Sequence, residues 1–448
     1  MPALERRQQI HRWKQEVLAH YVDDHQLQGF ALDGDSAFFV ANQLLVATGA
    51  ERHVRSRLEE LGARRAHGTF RLTRPALQRS MPAGTTPSSS GLSGLDVVDL
   101  DPGHGVNVAE LAVELAQRQP GAVAPNHLVT GLQRRMGWPD GDPEPAPAAL
   151  PPLPTPLPEA GRGVTVAVID TGWPTRMPPD LDWFRDGTDH ATRPGEVDER
   201  GHPLHHLDHL DDDRDGYLDV EAGHGLFVAG LIRRMAPQAR LVFLKALNSD
   251  GVGTELGVAR AIRAATARKV DLINLSLGFY TVLDATPAGV DAAVADALEA
   301  GIPVVAAAGN DGVSSPAYPA YFPGVTGVGA LGADGSSIAD FSNHGPWVNV
   351  FAPGEQVQSA FVRGREDAST TDDHGADRFR SNTALWSGTS FACGYVSGYL
   401  AGVLADLPPA ATPGERVARA DAAIDALPGF SGSSASAANR VLSPIPAF

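Results

Sequence analysis

Repeated prolines between Trp138 and Pro158 (WPDGDPEPAPAALPPLPTPLP) constrain this chain more than any other feature. Each removes a backbone donor and fixes φ near the polyproline II value, so extended chain is favoured and no packed element is expected there. Residues 138–160 therefore read as a linker between an N-terminal region and a body at 161–448. The 448 residues suffice for two or three domains with a large core.

The N-terminal region orders itself by periodicity. Residues 43–48 (QLLVAT) suit a strand, and residues 51–65 carry Val54, Leu58 and Leu61 at helical spacing. Residues 69–72 read as strand, 83–94 as a Ser/Gly-rich loop, 95–100 (LDVVDL) as strand, 108–117 as helix and 122–129 as strand. The order β-α-β-β-α-β fits a small ferredoxin-like (split βαβ) α+β domain over 41–137, with a generic α+β unit as the alternative. Residues 1–40 are expected to form a helix plus an irregular arm.

The body alternates differently. Residues 164–169 (VTVAVI), 239–245, 271–277 and 303–308 are short, continuously apolar runs, with helical patterns at 256–268 and 290–300 between them. Strands buried on both faces and separated by crossover helices imply a three-layer α/β fold with a mainly parallel sheet. Ligand and catalytic groups in such sheets gather at the carboxyl ends of strands, so the chemistry is sought just after these runs.

Charge narrows the partners. There are 36 Lys+Arg against 53 Asp+Glu, a formal net charge of −17, so no basic footprint for nucleic acid or an anionic membrane is expected. No run of about 18 apolar residues suggests a membrane span. The first thirty residues are too densely charged for a secretory signal, and the single Cys393 cannot form an internal disulfide. A cytoplasmic location is the expectation.

Three glycine-flanked segments carry candidate chemistry: Asp170 in Ile169-Asp170-Thr171-Gly172, His224 in Gly223-His224-Gly225, and Ser390 in Ser387-Gly388-Thr389-Ser390 ahead of an apolar helix to about residue 407. Taken singly, each has a structural reading: a cap, a packed ring, an N-cap serine. Together they stand in the chain order Asp, His, Ser, one of the orders in which a nucleophile, its base and the base's orienting carboxylate occur. With Ile273-Asn274-Leu275-Ser276-Leu277-Gly278, Ala306-Ala307-Ala308-Gly309-Asn310, Tyr318-Pro319-Ala320 and Phe351-Ala352-Pro353-Gly354, the body from about 161 to 407 resembles the subtilisin-like serine proteases, the subtilases.

That resemblance implies Ser390 as nucleophile, His224 as general base and Asp170 as its orienting carboxylate, with no cofactor for catalysis. It implies that Asn310 donates to the oxyanion, where the residues alone allow a turn residue after Gly309. Ser276, Leu277 and Gly278 resemble the segment that pairs with an extended polypeptide substrate, and Ala307, Ala308, Gly309 and Ala317 the walls of an uncharged specificity pocket. The chain departs from the family at Leu226 and Phe227, where Thr and His are usual, and at Gly394-Tyr395, where Pro-His is usual. Cys393 reads as a small buried hydrophobe. The N-terminal region resembles a subtilase prodomain, which implies an intramolecular inhibitor cut by Ser390 between about residues 130 and 150. A dedicated processing protease and a catalytically silent peptide-binding scaffold are the competing readings.

A separate signal precedes His224. Asp211, Asp213, Asp215 and Asp219 fall at positions 1, 3, 5 and 9 of a calcium-type loop with Gly216 at 6, but Ala222 stands at 12 with Glu221 one residue early. A structural calcium and a solvated acidic loop are both consistent with it. His205, His206 and His209 are not read as a transition-metal site. The acidic insertion at 363–382, with Asp372, Asp373, His374 and Asp377, reads as a surface ribbon or loop.

Overall fold

The computed structural model describes residues 30–33, 37–48, 50, 52–71, 94–100, 105–119, 122–130, 143–148, 150, 158–196, 205–281, 286–366, 377–408, 410–430 and 439–443. The loop expected at 83–94 lies outside the described residues except for Gly94, which opens a strand, and Asp372, Asp373 and His374 also lie outside them.

In the N-terminal unit, β1 (Phe30–Asp33), β2 (Ala37–Ala47), β3 (Arg64–Arg71), β4 (Gly94–Asp99) and β5 (Val123–Thr130) accompany helices α1 (Arg52–Glu60) and α2 (Val108–Arg118). The sheet runs β5-β2-β4-β3 with every neighbouring pair antiparallel, the order of a split βαβ unit. Its first long strand starts at Ala37, ahead of residue 41, and β1 pairs with it, so strand occupies part of the segment expected to be helix and irregular arm. The sheet buries both faces, which explains the unbroken apolar run in β2. Leu44 and Val46 join α1 and α2 in one apolar cluster, whereas the alternate residues Leu45 and Ala47 join Leu95, Val97 and Val129 in the cluster formed by the body's helices.

α2 begins at Asn107, whose side chain accepts from the Ala109 and Glu110 amides at 2.8 and 3.2 Å. Those amides are among the first-turn donors without an intrahelical partner.

The body is built on eight parallel strands: in spatial order Arg440–Val441, Val350–Pro353, Val325–Leu331, Val304–Ala307, Leu272–Leu275, Thr165–Asp170, Arg240–Lys245 and Thr188–Asp189. Helices α3 (His224–Met235) and α6 (Thr389–Asp406) belong to the apolar cluster on one side of this sheet, and α4 (Glu255–Ala267) and α5 (Ala288–Glu299) to that on the other. A further helix, α7 (Pro413–Asp425), starts from Thr412, whose hydroxyl accepts from the Glu415 amide. The result is the three-layer α/β subtilisin-like fold. No helix among the described residues is long and apolar enough to cross a membrane.

The proline-rich stretch is not wholly unpacked, contrary to the expectation. Glu144–Pro145 pairs antiparallel with Leu385 and Ala384, Gln358 donates from Nε2 to the Ala148 carbonyl at 2.8 Å, and Leu150 is buried in the body's core. Proline at a strand edge needs no ladder donor, so a two-residue pairing survives there. In the acidic insertion, Gly364–Arg365 and Arg378–Phe379 form a short antiparallel ribbon.

Candidate active site

Asp170 ends the central strand Thr165–Asp170 and is fully buried. Gly172, at φ +109°, then turns the chain so closely past the His206 carbonyl that a Cβ there would lie 2.9 Å from its oxygen. His224 opens α3 after Gly223, whose φ of +82° lies in the left-handed region that favours glycine. A Cβ at Gly225 would come within 3.1 Å of the Gly172 carbonyl and 3.3 Å of Asp170 Oδ1. The small residues around His224 thus let the helix start against the strand end, and His224 Nδ1 meets Asp170 Oδ1 at 2.8 Å.

Ser390 is the second residue of α6, whose N-cap is Gly388, so its hydroxyl does not cap the helix. Its Oγ lies 3.2 Å from the Ser276 carbonyl, and Ser276 Oγ donates back to the Ser390 carbonyl at 2.9 Å. The residue after it, Phe391, places its ring 5.4 Å from the His224 imidazole, and Trp386, just before the Ser387-Gly388 turn, stands edge-on to the same ring at 5.4 Å. Phe227, one of the departures, fills the space behind: its ring lies 4.5 Å from Phe391 and 5.5 Å from Trp386. At the other, a Cβ on Gly394 would come within 3.2 Å of the Val228 carbonyl, so the two helices approach closely there.

Asn310 follows the strand Val304–Ala307 through Ala308 and Gly309. Its Oδ1 accepts from the Thr389 amide at 2.9 Å and the Thr389 hydroxyl at 2.8 Å. With the oxygen so held, Nδ2 is turned toward Gly388, beside the Ser390 helix N-terminus. Gly309 is required by space: at φ +108°, a Cβ would be 2.4 Å from Asn343 Nδ2, which itself donates to the Ala308 carbonyl. Ala307, Ala308 and Ala317 are all fully buried, and Phe279 and Tyr318 exchange backbone hydrogen bonds that tie the segment after Gly278 to the one containing Ala317. Thr389, unassigned from sequence, is the anchor of this corner; its one signal was its place between Gly388 and Ser390.

Burial opposes charge on His224, but Asp170, Glu221 (3.9 Å from Nδ1), the Asp170 hydrogen bond and Asp208 outweigh it and raise the imidazole to about 9. Cys393 is fully buried, accepts from Asn274 Nδ2 at 3.1 Å, and burial pushes its thiol up to about 12. It is an inert packed group.

The N-terminal unit reaches this region. The end of β5, Leu128–Thr130, pairs antiparallel with the edge strand Val252–Thr254 on one side, while Thr130 and Gly278 exchange two backbone hydrogen bonds, at 3.2 and 3.1 Å, on the other. Just before, His127 Nδ1 meets Glu255 Oε2 at 2.8 Å with both groups buried. A chain segment thus already lies as an added strand between two edges of the body.

In the acidic loop, one carboxylate oxygen each from Asp211, Asp213 and Asp215 lies within 4.8 Å of the others. Asp219 is not brought into that group: its Oδ2 accepts from the Asp212 amide at 2.7 Å. Burial first, and then the charges of Asp215 and Asp211, raise the Asp213 carboxyl. His206 is committed elsewhere, accepting from the Lys245 amide at Nδ1 and meeting Glu196 at 3.0 Å.

The subtilase family (Peptidase_S8) matches residues 161–438, more than half of the chain, and the chain belongs to that family. It is 34% identical over 257 residues to a thermophilic serine proteinase of Bacillus sp. (strain AK1), covering 55% of this chain and 53% of the relative. It is 33% identical over 210 residues to subtilisin BL of Lederbergia lenta, covering 45% and 67%. The chain therefore spans about half to two thirds of the length of these relatives. Among solved structures, a cold adapted subtilisin-like serine proteinase shares 25% identity over 60% of this chain and 86% of its own, with a TM-score of 0.40.

Proposed function

We propose that the chain is a serine endopeptidase whose N-terminal unit occupies its own substrate groove until the connecting segment is cut. One observation carries the reading: Leu128–Thr130 lies as a strand between Val252–Thr254 and Gly278, on the body that also holds the Asp170–His224 pair and Ser390. Main-chain pairing of this kind accepts extended polypeptide without demanding particular side chains.

In the proposed reaction His224 Nε2 takes the Ser390 Oγ proton as the oxygen attacks the scissile carbonyl. Asp170 keeps the Nδ1–H oriented and stabilises the imidazolium. Asn310 Nδ2 and the Ser390 amide donate to the oxyanion. The proton then passes to the departing amine, leaving an acyl-enzyme that water hydrolyses. A fluorophosphonate probe should label wild-type protein on Ser390, as read by peptide mapping. Protein that stays unlabelled at saturating probe after the connecting segment has been cut and the N-terminal unit diluted away supports the silent scaffold instead.

The charge on His224 gives this chemistry a pH direction. A base must be neutral, and the carboxylates around His224 favour its protonated form up to about 9. The labelling rate at Ser390 should therefore climb with pH from 7 and level off above about 9. A rate independent of pH between 7 and 10 would remove His224 as the base.

Calcium belongs to the same proposal as a structural ion. Asp211, Asp213 and Asp215 offer only carboxylate oxygens, Gly216 at φ +92° makes the sharp turn, and the mutual repulsion on Asp213 is what a hard cation would relieve. The Asp212 carboxylate accepts from the Ser249 amide, which links the loop to the chain leading into Val252–Thr254. Millimolar calcium at 100 times its Kd would stabilise by about 2.7 kcal/mol, so chelator should lower Tm by several degrees. An unchanged Tm would make this a solvated loop.

A further inference from the structure

We infer that Asp208, outside the Asp170–His224–Ser390 set, is a positioning residue that fixes the backbone on both sides of His224 against Asp170; this rests on the serine protease reading. Asp208 ends the two-residue strand Leu207–Asp208, which pairs with Trp173–Pro174 immediately after the Asp170–Gly172 turn. It is fully buried. Its Oδ2 accepts from the Gly223 amide and from Thr171 Oγ1, both at 2.8 Å. Thr171 Oγ1 in turn accepts from the Gly225 amide at 3.2 Å. The residues before and after His224 are thus tethered to one carboxylate, one directly and the other through the hydroxyl of the residue following Asp170.

The second oxygen is equally committed. Oδ1 accepts from the Leu210 amide and Ser249 Oγ, both at 3.0 Å. Each oxygen faces one backbone N–H, of Gly223 or Leu210, that can only donate, so an amide in this place would turn its N–H₂ against one of them. Gly223 and Gly225 lie at the start of α3, where amides lack intrahelical acceptors and Gly223 has no side chain to supply one. Asp208 supplies that acceptor from another strand. Loosening it would leave His224 free to drift from the 2.8 Å contact with Asp170 that sets its tautomer.

The test compares wild type, Thr171→Val, Thr171→Ser and Asp208→Asn, each made as the full-length chain and assayed once the connecting segment has been cut, with an added protease where self-cleavage is slow, by the rate of fluorophosphonate labelling at Ser390 and by kcat and KM on an extended peptide. Thr171→Val keeps the shape and removes the relay. It should lower the labelling rate and kcat by about 10- to 100-fold, the cost of a small misplacement of a catalytic group, with KM nearly unchanged. Thr171→Ser keeps the hydroxyl and should restore both to near the wild-type values, which a purely steric role would not do. Asp208→Asn should lose at least as much as Thr171→Val; if it does not fold, the Thr171 pair decides. Wild-type rates in Thr171→Val, or equal losses in the Val and Ser variants, overturn the assignment. A cut wild type that does not label at all overturns the triad reading and this inference with it.

Discussion

Purified wild-type protein, followed by intact mass, should pass from the 47.0 kDa chain to two fragments, while Ser390→Ala remains whole under the same conditions. The cut is expected between Thr130 and Glu144. Thr130 is held on Gly278, and Glu144 is held on Leu385 in the strand that leads into the Ser390 turn, so both ends of the segment are anchored on the body. Loss of the nucleophile in subtilisin costs about a millionfold in turnover, and the same scale would make the uncut variant stable for any practical incubation. Splitting of both proteins at the same bond would assign the cut to a contaminating protease. Splitting of neither, with probe labelling intact, would make the N-terminal unit a permanent partner of the body rather than an inhibitor removed by it.

Asn310→Leu should lower turnover by about 10²–10³ with little change in KM, the range found for loss of the side-chain oxyanion donor in subtilisin. The reason is local. Thr389 holds the amide oxygen through two hydrogen bonds, so the Asn310 N–H₂ is aimed before any substrate arrives and costs no rearrangement during the reaction. Asn310→Asp separates the two halves of that argument. It keeps an acceptor for Thr389, yet sets a carboxylate where negative charge develops, and should be at least as damaging as Leu. If Asp retained near wild-type turnover, Asn310 would be only the brace for Thr389 and the oxyanion would be served elsewhere.

The segments holding Asp170, His224, Ser390 and Asn310 were legible because their constraints are local. Gly225 and Gly309 are written into the chain by close approaches that a Cβ would block, and the strand before Asp170 announces itself as a run buried on both faces. The edges were not legible. Of Arg64–Arg71 only the end, within the expected strand at 69–72, was read, and Val252–Thr254 not at all; both lie at sheet borders, where backbone pairing suffices and the side chains need carry no apolar pattern. Glu144–Pro145 was hidden by the very prolines that marked the linker. Asp219 matched a ligand spacing but turned its carboxylate to the Asp212 amide. Asp208 offered no motif at all: Thr171, Gly223 and Ser249 lie 37, 15 and 41 residues from it, and only the fold gathers them around one carboxylate.

If the N-terminal unit inhibits as proposed, the anchoring of the connecting segment at both ends sets what kind of equilibrium would govern that inhibition. While the chain is continuous, Thr130 meets Gly278 as part of the same molecule, so their pairing does not depend on the amount of protein in solution. A single cut between Thr130 and Glu144 would leave Glu144 paired with Leu385 on the body and turn the N-terminal unit into a separate molecule. From that moment its hold would follow mass action. Dilution, which does nothing to the intact chain, would become an activator of the cut one.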